Sequence, residues 1–246
     1  MASSRFKNKP LASILGMPMI GHCYFRSKMV KNIDEVFVAT CDREIFEYVE
    51  SIGGKCIMTS DKHTRASTRA AEALQKIEKE YRMMIPLVVM VQGDEPAISP
   101  NVISNIVHAF DDEDVQIANI MSLIRSEEDF NDKNNVKVVV DRNNDALYFS
   151  REPIPSSWVE DQHAPRFMQT GIIAFRRDAL IEFNSMDETT LEKVESIDMN
   201  RVLESGRSVR MVNTELKTLG VDIIEDIEIA ELMLAEDSLT HEYLKE

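Results

Sequence analysis

Residues 87–96 read Leu87-Val-Val-Met-Val-Gln92-Gly-Asp94-Glu-Pro96, and no other stretch constrains the chain as strongly. Five consecutive apolar residues make a strand buried on both faces. The run then stops abruptly. Gly93 permits a tight turn or the close approach of a ligand, and Pro96 ends ladder hydrogen bonding. A carboxylate just past the C-terminal end of a buried strand stands where open α/β sheets bind their ligands, so Asp94 is a candidate to hold a metal ion against a phosphate. The same Asp94 suits a cap in an ordinary strand-to-helix turn, because Ser99-Pro100 opens a helix shortly afterwards. On this stretch alone both readings stand.

Around it the chain alternates. A helix begins within residues 20–25, residues 35–40 form a short buried strand, and Asp42 caps a helix whose apolar face is Ile45, Val49 and Ile52, with Gly53-Gly54 as its stop. Lys55–Met58 is a third, shorter strand. A helix with Ala70, Ala73, Leu74, Ile77 and Tyr81 on one face follows, then the central strand, a helix over residues 100–110 and a strand over residues 117–123. Helix–strand alternation of this kind predicts a mostly parallel, doubly wound α/β sheet. From residue 136 the pattern changes to paired strands: residues 136–140 and 146–150 read as a hairpin about a polar turn. A Pro-containing loop, residues 151–165, carries the only tryptophan, Trp158, and its length suggests a lid or an interface. Residues 171–175 form another strand, 191–204 a helix ended by Gly206, 208–212 a strand and 225–234 a last helix with Ile227, Ala230 and Leu234 inward. We read residues 1–246 as a single domain, with 136–175 as its hairpin, lid and contact region.

The net charge of −15 argues against a nucleic-acid or anionic-membrane binder, because phosphate backbones require clustered Lys and Arg. An anionic substrate would need a local basic pocket. The three cysteines, Cys23, Cys41 and Cys56, have no C-x-x-C spacing and lie in or beside apolar stretches, which suits reduced thiols in a cytoplasmic protein. No apolar run approaches the ~18 residues of a membrane span, and the first residues do not read as a signal peptide.

Two stretches offer themselves to anions. Ser3, Ser4, Arg5, Lys7 and Lys9 supply hydroxyls and cations suited to wrapping polyphosphate, although a basic tail would read the same way. Before the helix that carries Ala70 to Tyr81, Arg65 and Arg69 could face an anion at a helix N-terminus, while Ser67 and Thr68 could simply cap it.

Taken together, these pieces resemble the bacterial cytidylyltransferases that activate 3-deoxy-manno-octulosonate, the CMP-sugar synthetases. Arg5 and Lys9-Pro10-Leu11 match that family's S-[ST]-R-x-x-x-K-P-L phosphate loop, and Gln92-Gly-Asp-Glu-Pro96 its Q-G-D-E-P. Ala146-Leu-Tyr-Phe-Ser-Arg151 with Ile154-Pro155 matches A-L-Y-F-S-R-x-x-I-P, and Gly220-Val-Asp222 matches G-V-D. Four blocks in order, spread over essentially the whole chain, are specific. The resemblance implies a Rossmann-like nucleotidyltransferase fold with a small β-rich acceptor and dimerisation region. It also implies attack of a sugar-acid hydroxyl on the α-phosphate of CTP, releasing pyrophosphate, for lipopolysaccharide or surface-glycan precursors. Asp94 and Asp222 would hold Mg²⁺, and Arg5 and Lys9 would line the triphosphate. Ser3, Ser4, Ser67, Arg69 and Gln92 would contact the nucleotide. Gln92, Arg151, Gln169 and Asp198 would contact the acceptor, and the enzyme would be a homodimer.

Three departures accompany the resemblance. Arg65-Ala-Ser-Thr-Arg69 stands where the family has S-G-T-[DE]-R before the helix that touches cytosine, so preference for CTP is inherited rather than shown. Gln169-Thr-Gly171-Ile-Ile173 replaces H-L-G-[IV]-Y, and Asp198-Met199 replaces a Glu-Gln pair, which points to an acceptor other than the ordinary octulosonate unless different side chains solve the same problem. Finally, the family's phosphate loop hangs from a mid-sheet first strand, yet here it begins at residue 1. The natural protein is therefore expected to start upstream with an apolar strand of about 5–8 residues, ending by resemblance in Pro-Ala-Arg; an in-frame stop codon directly before Met1 would end that expectation. A non-catalytic nucleotide-binding homologue is the competing class. An NAD-type binder is disfavoured because G-x-G-x-x-G is missing.

Overall fold

The computed structural model describes residues 8–158, 165–215, 220–221 and 223–244. In chain order these form a short 3₁₀ turn (Lys9–Leu11), β1 (Ser13–Ile14), β2 (Met17–Pro18), α1 (Met19–Lys28), β3 (Phe37–Thr40), α2 (Arg43–Ser51), β4 (Lys55–Met58) and α3 (Ala66–Tyr81). Next come β5 (Leu87–Met90), α4 (Pro100–His108), β6 (Ile117–Leu123), α5 (Glu127–Asn131), β7 (Lys137–Val140), β8 (Ala146–Ser150) and β9 (Phe167–Arg176). The chain ends with α6 (Arg177–Ser185), α7 (Thr190–Glu195), α8 (Met199–Glu204), β10 (Arg210–Thr214), α9 (Asp226–Glu236) and α10 (Thr240–Tyr243). It divides into two compact units: Met1–Ile85, Met90–Ser104 and Thr218–Glu246 make the first, and Pro86–Val89 with Asn105–Lys217 make the second.

The first unit is built on a βαβ element. β3 and β4 pair in parallel, Phe37 opposite Lys55 through Thr40 opposite Met58. α2 crosses between them with Asp42 at its N-cap position and Ile45 and Val49 buried. These two pack with Ile20, Cys23, Tyr24 and Val38; each fully buried aliphatic side chain contributes about 1.5–3 kcal/mol. Gly53, at φ +72°, ends α2 in a conformation that L side chains rarely adopt. On α3 the buried face is Ala71, Ala73, Leu74 and Ile77; Tyr81 stays 42 % exposed, with its ring edge-on to Phe37. Contrary to the capping expectation, the N-cap of α3 is Arg65, and the Thr68 hydroxyl turns back to donate to the Arg65 carbonyl. A second core joins Ile14, Met19, Val221, Ala230 and Leu234. Arg26, only 2 % exposed, ties the C-terminal segment to α1 by donating to Ile98 O, Thr240 Oγ1 and Asp237 Oδ2.

The second unit carries a six-stranded sheet in the order β10-β6-β9-β7-β8, with β5 pairing β9. β10 and β6 run parallel, while β6–β9, β7–β9 and β7–β8 are antiparallel. β6 is the spine: residues 117–122 are all buried.

Three expectations are corrected. β5 spans four residues, and Leu87, Val88 and Val89 are half-buried rather than enclosed on both faces, because β9 is the only strand paired with it among the described residues. The 191–204 helix is two helices. Ser196 adopts φ +55° after α7, which turns the chain so that Arg201 of α8 meets Glu192 of α7 through Nη2–Oε1 at 2.6 Å. β9 starts at Phe167, four residues before the expected strand, since Gln169 through Phe167 continue the ladder with Met121 through Leu123.

Candidate active site

Where the central strand ends, the chain turns through Gly93 and Asp94 and then enters α4. Asp94 is held from two directions within the first unit. Lys9, on the 3₁₀ turn opened by Pro10, places Nζ 2.8 Å from Asp94 Oδ2; the lysine side chain is 11 % exposed and the aspartate 27 %. Val221, fully buried in the Ile14–Leu234 core, donates its amide to the Asp94 carbonyl oxygen at 2.9 Å. The 220–221 backbone thus lies against the Asp94 turn. Asp222, the next residue, lies outside the described residues, as do Ser3, Ser4 and Arg5. Gln92 is exposed at the strand's end. Beneath the turn, burial pushes the Cys23 thiol far above its ordinary range, and the negative charges of Asp94 and Glu95 push it further. That thiol is inert packing, not a nucleophile.

The segment between β4 and α3 belongs to the same unit. Ser67 is buried in the first turn of α3. Arg69 sends Nη1 back to Thr59 Oγ1 and to the Ser60 carbonyl. Two residues that the sequence reading passed over organise this segment. Glu72 accepts the Ser60 amide and Lys76 Nζ, and His63 bridges Thr68 and Glu72. Bonds from Lys76, His63 and Ser60 hold the Glu72 carboxyl down at about 2. The sequence signal was present: a histidine five residues before a helix hydroxyl and nine before a helix carboxylate.

The expected acceptor residues Arg151, Gln169 and Asp198 lie in the second unit. Arg151 is engaged by its own chain: Nε donates to Glu195 O at 2.7 Å, Nη1 to Lys133 O at 2.9 Å, and its amide to Glu195 Oε2 at 2.9 Å. The Glu195 carboxylate also accepts from Tyr148 and Ser150. Burial raises this carboxyl, but the bonds from Arg151, Ser150 and Tyr148 outweigh it and leave the group below its usual range. Nearby, Lys137 is fully buried and gives its ammonium hydrogens to Asp132 O, Asn135 O and Arg151 O at 2.8, 2.7 and 2.5 Å. Asp198 sits at the N-cap position of α8, where its charge supports the Arg201 guanidinium in addition to the hydrogen bonds that Arg201 donates to Glu192.

Gln169 differs from these. It lies on β9 beside a register shift, where β6 passes from Asn119 to Met121 while β9 passes from Ile173 to Gln169. Asn119 Nδ2 fills the irregularity by donating to the Thr170 and Ile172 carbonyls. Such irregularities re-aim strands beside functional sites. Gln169 Oε1 is buried with no hydrogen-bond partner among the described residues, and an acceptor left so costs about 1–3 kcal/mol until a donor reaches it.

No group of three or more His, Cys, Asp or Glu among the described residues could hold a metal by itself. Asp94 offers one hard oxygen donor group, which suits Mg²⁺ only in combination with a second carboxylate and substrate phosphates. Among the described residues no helix is long and apolar enough to cross a membrane.

The comparisons with known proteins agree on one family. A family model described as Cytidylyltransferase matches residues 1–215. The chain is 41 % identical over 239 residues to the 3-deoxy-manno-octulosonate cytidylyltransferase of Thermodesulfovibrio yellowstonii, covering 94 % of each protein. It is 38 % identical over 242 residues to the protein of that name from Nitratidesulfovibrio vulgaris, covering 96 % of this chain and 93 % of the relative. A solved structure of CMP:2-keto-3-deoxy-manno-octonic acid synthetase complexed with CTP superposes with a TM-score of 0.88 at 34 % identity, over 95 % of this chain and 94 % of that one. The 4-diphosphocytidyl-2C-methyl-D-erythritol synthase of Anaerococcus prevotii, at 17 % identity and a TM-score of 0.62, shares the α/β fold alone. The chain carrying the Lys9–Asp94 pair is therefore a member of the cytidylyltransferase family.

Proposed function

We propose that this protein transfers CMP from CTP to the anomeric hydroxyl of a 2-keto-3-deoxy sugar acid, 3-deoxy-manno-octulosonate or a close relative, for lipopolysaccharide or surface-glycan precursors. The observation that carries this reading is the Val221 amide on the Asp94 carbonyl beside the Lys9–Asp94 ion pair. It supports a centre in which Asp94 and Asp222 act together although they are distant in sequence.

In this reading the acceptor oxygen attacks the α-phosphorus, the bond from that phosphorus to the oxygen bridging to the β-phosphorus breaks, and pyrophosphate leaves. The hydroxyl proton departs to solvent or to a neighbouring carboxylate. Asp94 and Asp222 would hold Mg²⁺, which would screen the triphosphate and lower the pKa of the attacking hydroxyl. Lys9 is paired to Asp94; with CTP bound its ammonium turns to the phosphates, beside Arg5, Ser3 and Ser4. Ser67, Arg69 and Gln92 line the nucleotide. Catalysis is then chiefly positioning and electrostatic stabilisation.

On the acceptor side, the orphan Gln169 Oε1 supports direct contact with a donor of the sugar acid. Arg151 and Asp198 serve the site by shaping it, through Glu195 and Arg201. The substituted acceptor residues favour one variant of the reading, a cytidylyltransferase for a different acid. We further propose a single nucleotidyltransferase domain working in the cytoplasm as a homodimer, with residues 136–175 at the contact. The exposure of Trp158 (93 %) and Leu147 (62 %) supports the contact, and the free thiols of Cys23, Cys41 and Cys56 support a reducing compartment.

Pyrophosphate release with Mg²⁺, measured across CTP, ATP, GTP and UTP and a panel of 2-keto sugar acids, tests the reading. Release that requires both CTP and a sugar acid is expected. Release from no nucleotide, or release indifferent to the acid, would overturn it.

A further inference from the structure

We infer that His63 is a positioning residue of the nucleotide segment: carrying hydrogen on both ring nitrogens, it clamps residues 59–65 to α3 through Thr68 and Glu72. The geometry of the clamp stands by itself. Its consequence for CTP rests on the reading above, in which this segment receives the nucleotide.

The hydrogens available to the clamp fix its protonation. His63 Nδ1 lies 3.0 Å from Thr68 Oγ1, and Nε2 makes a short contact with Glu72 Oε2. Thr68 has one hydroxyl hydrogen, and its oxygen also lies 2.9 Å from the Arg65 carbonyl. A carbonyl can only accept, so that hydrogen points at Arg65; otherwise two oxygens would face each other at 2.9 Å with nothing between them. The Arg69 helix amide also reaches this carbonyl, but at 3.4 Å, a longer contact than the hydroxyl makes. Thr68 Oγ1 must therefore accept from Nδ1–H. On the other side the Glu72 carboxylate, held ionised by Lys76 and the Ser60 amide, is an acceptor only, so Nε2 also carries hydrogen. Both contacts are satisfied together only by the imidazolium.

The clamp is sheltered, with the His63 side chain 19 % exposed and Glu72 24 %. The charged groups around it are Glu72 on α3, Lys76 acting through Glu72, Arg69 reaching Thr59 and Ser60, and the chain neighbours Asp61, Lys62 and Arg65. Loss of one proton breaks one of the two anchors. The segment then loosens, and its ordering is charged to nucleotide binding, so KM for CTP rises while kcat holds.

The test has two readouts. Imidazole ¹⁵N NMR of the full protein reports both His63 nitrogens directly, without activity: two protonated nitrogens at pH 6 are expected, with Thr68→Val abolishing the pattern and Thr68→Ser restoring it. A neutral tautomer at pH 6 would overturn the clamp. In steady-state assays, His63→Gln is expected to raise KM for CTP roughly five- to tenfold over the wild type while kcat holds. Identical KM values for wild type and His63→Gln would overturn the link to the nucleotide. Failure of the wild type to use CTP at all would defeat the functional reading and leave the NMR result standing.

Discussion

In the first unit the Asp94 carboxylate meets Lys9 across 2.8 Å and stays 27 % exposed. In the second, the Glu195 carboxylate accepts from Tyr148, Ser150 and Arg151, and Lys137 has given its hydrogens to three carbonyls. Both regions concentrate polar groups, yet they are in different states. The ion pair at the turn can be exchanged for a phosphate and a metal, because the Asp94 carboxylate stays partly exposed while Lys9 lies buried beside it. A saturated network cannot exchange partners without leaving buried groups unpaired. The first region thus suits the exchange that the proposed function requires, and the second holds the backbone around Gln169, whose Oε1 has no hydrogen-bond partner among the described residues.

Substitutions can break or sharpen this contrast. The largest effect is expected from Asp94→Asn, which keeps the shape of the turn but removes the charge: pyrophosphate release should fall by about 10³-fold, with the circular dichroism spectrum unchanged. Lys137→Met should do the reverse. It strands three carbonyls and should lower stability in urea by about 3–4 kcal/mol, while the protein that remains folded keeps its KM for CTP. Arg151→Ala is the sharpest discriminator between binding and holding. A loss of about 1–3 kcal/mol of stability with less than a threefold change in KM for the acceptor is expected; an acceptor effect without loss of stability would move Arg151 into the binding set.

The smallest effect concerns pH. His22 is fully buried, donating from Nε2 to the Ile14 carbonyl and accepting the Tyr243 hydroxyl at Nδ1. Burial, more than any other cause, lowers its pKa in the folded protein. The unfolded chain therefore binds a proton that the folded chain refuses. Above the ordinary histidine value of about 6.5 nothing is lost, and as pH falls below it stability declines until the folded value is reached. Urea midpoints at pH 7.5 and 5.5 should differ in that direction, and Tyr243→Phe should reduce the difference.

Much of the fold was legible locally. β4 and β6 begin and end where the residue pattern places them, because alternation, apolar runs and glycine stops are properties of neighbouring residues. The break between α7 and α8 was not legible, since a tertiary pair, Arg201 with Glu192, sets it. The site divides the same way. Asp94 stands out by its place after an apolar run, and Lys9 as one of several cations that the family pattern separates from a basic tail. Arg151 looks available in the sequence, yet its guanidinium is committed to carbonyls of residues 133 and 195. His63 and Glu72 carry a signal in their spacing, but their contact also depends on how the 59–65 loop folds back on α3.

The central claim is that Asp94 and Asp222 hold one metal centre beside the triphosphate. Titration of Mn²⁺ into the CTP-loaded protein, followed by electron paramagnetic resonance, tests it most directly. Asp94→Asn and Asp222→Asn should each weaken Mn²⁺ binding by about tenfold or more, and the double variant should add little to either. Mn²⁺ bound equally well by wild type and both single variants would contradict the account.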